Sequence, residues 1–143
     1  MGMFDVLQIC SSGLKAERTR MEAIATNLAN VHSTRSDEGG PFTKKDVVFA
    51  PTDVSEGGGF GAALKQKLEG VKVDEVVESS KPFERVYDPY HPDADGDGYV
   101  TLPNVNVMEE MADMVAATRA YEANINMMNS VKQMFMKSLE IGK

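Results

Sequence analysis

Asp93, Asp95 and Asp97 alternate along Asp93-Ala94-Asp95-Gly96-Asp97-Gly98-Tyr99-Val100-Thr101, the one constellation in the chain whose residue types and spacing suggest chemistry. Carboxylates at loop positions one, three and five, glycine at six and an aliphatic residue at eight are how a helix-loop-helix calcium site begins, because a hard cation wants several oxygen ligands around it. The match then stops. Position twelve is Asn104 where a bidentate Glu is needed, Pro103 precedes it, and residues 87–92 hold two prolines that forbid the first helix of such a site. The pattern predicts a tight acidic turn between extended segments and no metal site, with a calcium-responsive binding module as the alternative.

Other reactive side chains are sparse. Cys10 is the single cysteine, so no intramolecular disulfide can form, and it reads as a small buried apolar residue. His32 and His91 have no second ligand at helical spacing to make a zinc site. The carboxylates are dispersed, with no pair set apart as a general acid and base. The glycine-rich stretch at 56–61 lacks the Lys-Ser or Lys-Thr of a phosphate-binding loop and reads as a flexible connection, as does the stretch from Ser33 to Pro41. The chain is expected not to be an enzyme and to need no cofactor.

The elements that must carry these residues are legible from periodicity. From Met3 to Val31, apolar residues recur in steps of four and three at Met3, Leu7, Cys10, Leu14, Met21, Ile24, Leu28 and Val31, with Glu17 the one interruption. A second series runs through Val107, Met111, Met114, Thr118, Tyr121, Ile125, Met128, Lys132, Phe135 and Leu139. Side chains so spaced lie on one stripe of a helix that packs against a partner helix. Pro103 suits the approach to the second helix, Asn104 or Asn106 can cap it, and Gly142 ends it. Gly13 marks a bend or a close contact in the first. Between them, short strands are expected at 46–49, 71–77, 83–87 and 99–102, too few for a large sheet and suited to small hairpins. The expected fold is mainly α, with long terminal helices pairing as a coiled-coil-like unit around a small β-hairpin-rich middle. Its divisions are 1–31, 32–102 and 103–143.

Charge narrows the function. Of 143 residues, 15 are basic and 22 acidic, for a net charge of -7. Residues 31–104 hold eight basic and fourteen acidic side chains, whereas both ends are nearly neutral. No basic surface for phosphate contacts is implied, which excludes a nucleic-acid binder. No run of about 18 apolar residues is present for a bilayer crossing, and no secretory signal pattern opens the chain. By these tests alone the protein reads as cytoplasmic.

The two ends carry a more specific pattern. The stretch Ser12-Gly13-Leu14-Lys15-Ala16-Glu17-Arg18, continuing to Asn27-Leu28-Ala29-Asn30, resembles the amino-terminal motif of bacterial flagellar rod and hook proteins. Gly40-Pro41-Phe42-Thr43-Lys44-Lys45-Asp46-Val47-Val48-Phe49 is similar to the segment after that helix in the short rod subunits, although the link Val31-His32-Ser33-Thr34-Arg35 departs from the usual Thr-rich one. At the other end, Gly98-Tyr99-Val100 and Pro103-Asn104-Val105-Asn106-Val107, leading to Arg119-Ala120-Tyr121-Glu122-Ala123-Asn124, resemble the carboxyl-terminal signature of the proximal-rod type.

The resemblance implies a structural subunit of the flagellar basal-body proximal rod. Such a subunit assembles helically with itself and other rod proteins into the drive shaft and export channel. It also implies export by the flagellar type III apparatus without a cleavable signal peptide, and a place in the periplasm-spanning rod in contrast to the cytoplasmic reading, without direct membrane insertion. The packing residues would be Leu7, Leu14, Met21, Ile24, Leu28, Val107, Met111, Met114, Tyr121, Ile125, Met128, Phe135 and Leu139, facing either the chain's own helix or a neighbour. The helix-cap role is expected for Asn30 and Asn104, and a local or an intersubunit role for Asn27 and Asn124. A rod subunit requires no metal, so calorimetric titration with calcium is expected to show no saturable heat; saturable uptake abolished by Asp95→Ala would support the binding-module alternative.

Overall fold

In the computed structural model, which describes residues 3–36, 39–53 and 69–141, both terminal segments are long α-helices, α1 (Met3–Ala29) and α2 (Val107–Ile141). At 1.5 Å per residue they span roughly 40 and 50 Å. Asn106 starts α2: its Oδ1 accepts hydrogen bonds from the amides of Met108 at 2.9 Å and Glu109 at 3.4 Å. The first helical bond runs from the Glu110 amide to the Asn106 carbonyl. Glu109 and Glu110 in the first turn complement the positive end of the helix dipole. At the far end of α1, Asn30 Nδ2 donates to the Thr26 carbonyl at 2.9 Å and its Oδ1 accepts from Ser33 Oγ, which uses up a last-turn acceptor and turns the chain away.

The two helices lie side by side and antiparallel. Asn27 meets Glu110, Met21 meets Thr118, and Gly13 meets Asn124, so numbers fall along one helix as they rise along the other. At Gly13 an added Cβ would stand 3.0 Å from Asn124 Nδ2, so the glycine is a close contact. On α2 the inward residues are Glu110, Ala117 and Val131, with Met114, Tyr121, Asn124 and Met128 half-buried between them. This stripe also steps by four and three. It keeps Met114, Tyr121 and Met128 of the expected series and replaces Met111, Thr118, Ile125 and Lys132 with Glu110, Ala117, Asn124 and Val131. Close helix approach favours small contact residues, and Ala117, fully buried, fits where Met111 or Ile125 would hold the axes apart.

Between the helices run two antiparallel hairpins. In the first, β1 (Lys45–Asp53) pairs β2 (Glu69–Glu78) from Lys45 opposite Glu78 to Asp53 opposite Glu69, with an irregularity between Val48 and Phe49. Both strands are longer than the expected 46–49 and 71–77, because pairing continues through Ala50, Pro51, Thr52 and Asp53 opposite Lys72 to Glu69, and most of the added residues carry no strand signal of their own. The hairpin lies against α1, where the Val71 amide donates to Ser12 Oγ at 3.1 Å. The connection at 56–61 expected from sequence lies outside the described residues, as do the Met3 side chain and Gly142.

The second hairpin joins β3 (Glu84–Tyr87) and β4 (Tyr99–Leu102), with Tyr87 opposite Tyr99. Those rings meet edge to face at 5.3 Å between centroids, and the Arg85 guanidinium sits 5.2 Å from the Tyr99 ring centre. Gly98 has φ of 81°, and a Cβ there would stand 3.0 Å from Tyr87 Cε2, so conformation and space both demand glycine. Replacing Asn106 by Ala is expected to lower stability in urea unfolding by about 1 kcal/mol, the value of a helix N-cap, with little change in the slope of the transition.

Candidate functional site

Asn27 stands in the last turn of α1 and is almost wholly buried, at 1% exposure. Its Nδ2 donates to the Lys45 carbonyl and to Glu110 Oε2, each at 2.9 Å, while its Oδ1 accepts from the Lys45 amide at 2.9 Å. One side-chain amide thus pairs with the first residue of β1 as a neighbouring strand would, and ties it to α2. Glu110 is equally buried, and its Oε1 lies 2.7 Å from Lys44 Nζ. That ammonium is also 3.4 Å from Asp46. The Lys44 amide in turn donates to Asn104 Oδ1 at 2.8 Å, and Asn104 Nδ2 donates to the carbonyls of Lys81 at 2.8 Å and Ser79 at 3.3 Å.

These contacts form a polar clasp joining the end of α1, the start of β1, the end of β2 and the start of α2. Burial works against the Lys44 ammonium, but the hydrogen bond and charge of Glu110, together with those of Asp46, outweigh it and raise its pKa above the usual 10.5. Asn27, expected to act either locally or between subunits, acts within its own chain here. Asn104 does not cap α2, which Asn106 does; it braces the two hairpins instead. Periodicity gives no sign of Lys44 or Glu110, since each reads as one more charged residue in a polar context.

The acidic turn is occupied by its own neighbours. Asp93 accepts from Thr34 Oγ1 at 2.7 Å and pairs with Arg35, and these lower its pKa, the Thr34 bond most. Asp95 Oδ1 accepts the amides of Tyr99 at 2.8 Å and Asp97 at 3.0 Å, and its Oδ2 pairs with Arg85 at 2.6 Å; the Tyr99 amide is the largest cause of its lowered pKa. The two carboxylates are spent on different partners, and among the described residues no three His, Cys, Asp or Glu side chains converge on a common point. Nothing in this geometry supports the calcium reading. Cys10 is buried and His32 exposed.

The expected packing residues divide into two sets. Ile24 is buried, and Leu7, Leu14, Met21, Leu28, Met114, Tyr121 and Met128 are half-buried within the chain. Val107, Met111, Ile125, Phe135 and Leu139 are exposed, together with Met108, Val115 and Met136. Six of these, at 108, 111, 115, 125, 136 and 139, fall on a second stripe of α2 beside the one that meets α1, with Thr118, Glu122, Asn129 and Lys132 between them. Of the remaining motif residues, Pro103 and Val105 are buried, Asn124 is half-buried against Gly13, and Ala29, Arg119 and Glu122 are exposed.

Comparison with known proteins gives a consistent result. Residues 97–141 match the family model described as "Flagellar basal body rod FlgEFG protein C-terminal". Over the whole chain, similarity reaches proteins named "Flagellar basal-body rod protein FlgC" from several bacteria. The one from Borreliella burgdorferi is 41% identical, covering 99% of this chain and 98% of its own. That from Bacillus subtilis is 41% identical and that from Salmonella typhimurium 40%, each over the full length of both chains.

Removing one partner of a buried ion pair strands the other, so Glu110→Leu is expected to cost about 3–5 kcal/mol in denaturant unfolding, most of it recovered in the Lys44→Met/Glu110→Leu double variant. The raised Lys44 pKa also sets the sign with pH: its contribution is complete below about pH 10.5 and is lost as pH rises through the raised value. The double variant should therefore lose that part of the alkaline limb of the stability profile.

Proposed function

The chain belongs to the FlgC family of flagellar basal-body rod proteins, and on that premise we propose that its helix pair acts as a coiled-coil-like unit whose outward apolar stripe is covered by neighbouring rod subunits. The protein is a structural subunit of the basal-body rod and not an enzyme. The observation that carries the rest is the stripe itself: Met111 is 54% exposed and Leu139 55%, far more than residues of these types need to leave in water. Burial of apolar area gains roughly 25 cal/mol per Å², and a contiguous exposed patch marks a surface made for contact.

A rod requires each subunit to touch the next through different patches, giving a contact that does not close on itself. The antiparallel pair suits this role, since one stripe of α2 meets α1 and the apolar residues of the other, from Met108 to Leu139, stay exposed. The hairpins, held by the clasp at the far end of the pair, add the exposed Val48, Phe49, Val76 and Val86 as further contact surface. In this reading the subunit belongs to the proximal rod and assembles helically with itself and other rod proteins into drive shaft and export channel. It reaches the periplasm-spanning rod through the flagellar type III apparatus without a cleavable signal peptide. The division into 1–31, 32–102 and 103–143 then separates helical core from surface insert. Among the described residues no helix is long and apolar enough to cross a membrane.

Ile125 lies in mid-stripe and is exposed, so Ile125→Asp should leave the fold intact while placing a charge where a neighbour must pack. Expressed in cells lacking the wild-type gene, this variant is expected to be secreted normally and to give no completed rod and no motility. Normal motility would refute the assignment of that stripe to subunit contact.

A further inference from the structure

Among the described residues, the sulfur that faces solvent is all thioether and all on α2: Met108, Met111, Met127, Met134 and Met136 are exposed, Met108 at 75%. Met21, Met114 and Met128 are half-buried along the seam between the helices, where Met21 Sδ lies 3.8 Å from Thr118 Oγ1. Cys10, the one thiol of the chain, is buried. An oxidant in solution therefore meets thioether first, and a thioether, unlike a thiol, needs no deprotonation to react.

The exposed methionines divide by face. Met108, Met111 and Met136 lie on the outer stripe with Val115, Ile125 and Leu139, so half of its apolar side chains end in sulfur chemistry. Met127 and Met134, one heptad apart, fall by the 3.6-residue period on the other flank of the seam. Hydrogen peroxide converts such a side chain to a sulfoxide. The sulfur lone pair attacks one peroxide oxygen, the O–O bond breaks, sulfur gives up two electrons, and the second oxygen leaves as water. A flexible apolar side chain becomes a polar one. In the free subunit its new oxygen stays hydrated, but beneath a neighbour it must be desolvated without a partner, which opposes the contact.

We propose that Met108, Met111 and Met136 are a peroxide-modification site of the unassembled subunit, whose conversion to sulfoxide stops the outer stripe from packing while the fold stands. This role rests on the stripe being a subunit contact. The fold is spared because the seam methionines are half-buried and the clasp of Asn27, Lys44 and Glu110 contains no sulfur. Once neighbours cover the stripe its sulfurs are out of reach, so the modification acts before assembly and not after it.

The chemistry is tested on purified full-length protein treated with dilute hydrogen peroxide, with the oxygen gained at each methionine followed by peptide mass spectrometry beside circular dichroism. Met108, Met111 and Met136 are expected to oxidise several-fold faster than Met21, Met114 and Met128, with the helical signal unchanged; equal rates, or helices that melt as the stripe is oxidised, would overturn the site. The consequence is read in cells lacking the wild-type gene, using glutamine to imitate the sulfoxide's length and polarity without peroxide stress on other proteins. The triple variant Met108→Gln/Met111→Gln/Met136→Gln is expected to lower the number of completed rods roughly tenfold or more, while Met108→Leu/Met111→Leu/Met136→Leu builds them normally. Normal rods from the glutamine triple, or equal loss with leucine, would refute the effect of oxidation and leave the rod assignment intact. Met127→Gln/Met134→Gln is expected to build rods, and a loss as severe as the triple's would contradict the placement on the outer stripe. Rods completed without the gene would overturn the rod assignment, and the oxidation rates of the purified protein then decide the site by themselves.

Discussion

A buried carboxylate holds this structure in register. Glu110 sits one turn into α2, almost wholly buried, with Oε1 in an ion pair with Lys44 and Oε2 accepting a hydrogen bond from Asn27. A buried ion pair is a weak source of net stability, because desolvation of two charges offsets most of their attraction. Its value here is positional. A helix pair held by apolar stripes alone can slide by a heptad, exchanging one set of equivalent contacts for another. Sliding this pair would strand a carboxylate and an ammonium in an apolar interior, so one alignment is selected. The same groups fix the first residues of β1 to the end of α1, which places both hairpins relative to the helices.

The division of apolar surface is a consequence of that register. Close approach at Gly13 and Ala117 lets small residues fill the inner seam and leaves Met108, Met111, Val115 and Ile125 on the outside. A monomer that exposes such a stripe has burial still to gain, and the gain is available only in an assembly. The long helices contribute the second requirement, a rigid axis along which contacts repeat. A structural rod subunit needs no reactive centre, and the acidic turn between β3 and β4 is correspondingly used up in holding its own loop, through Asp95 to the Tyr99 and Asp97 amides and Asp93 to Thr34.

Much of the fold is legible in the chain. Four-and-three spacing predicts both helices, and β-branched clusters between breakers predict all four strands, with β4 matching to the residue. Resemblance at the two ends already points to the rod family. The face of α2 that meets α1 is another matter. Hydrophobic periodicity selects the most apolar series, and in a protein built for assembly two stripes compete; the series so chosen takes Met114, Tyr121 and Met128 from the inner stripe and Met111, Ile125 and Leu139 from the outer, while Glu110, Ala117 and Asn124 face in. The clasp escapes sequence reading for a related reason, since a charged residue is assigned to solvent unless a partner is known, and Lys44 lies 66 positions from Glu110. Asn27 is marked by its motif, but its pairing with the β1 backbone is a tertiary contact that no local pattern encodes.

The role of this chain as an indispensable structural part of the rod is tested most directly by electron cryotomography of flagellar bases in cells lacking the gene, beside cells to which it has been restored. A structural subunit predicts that membrane ring and export apparatus persist without rod or hook, and that both return with the gene. A complete rod in nonmotile cells lacking the gene would contradict it.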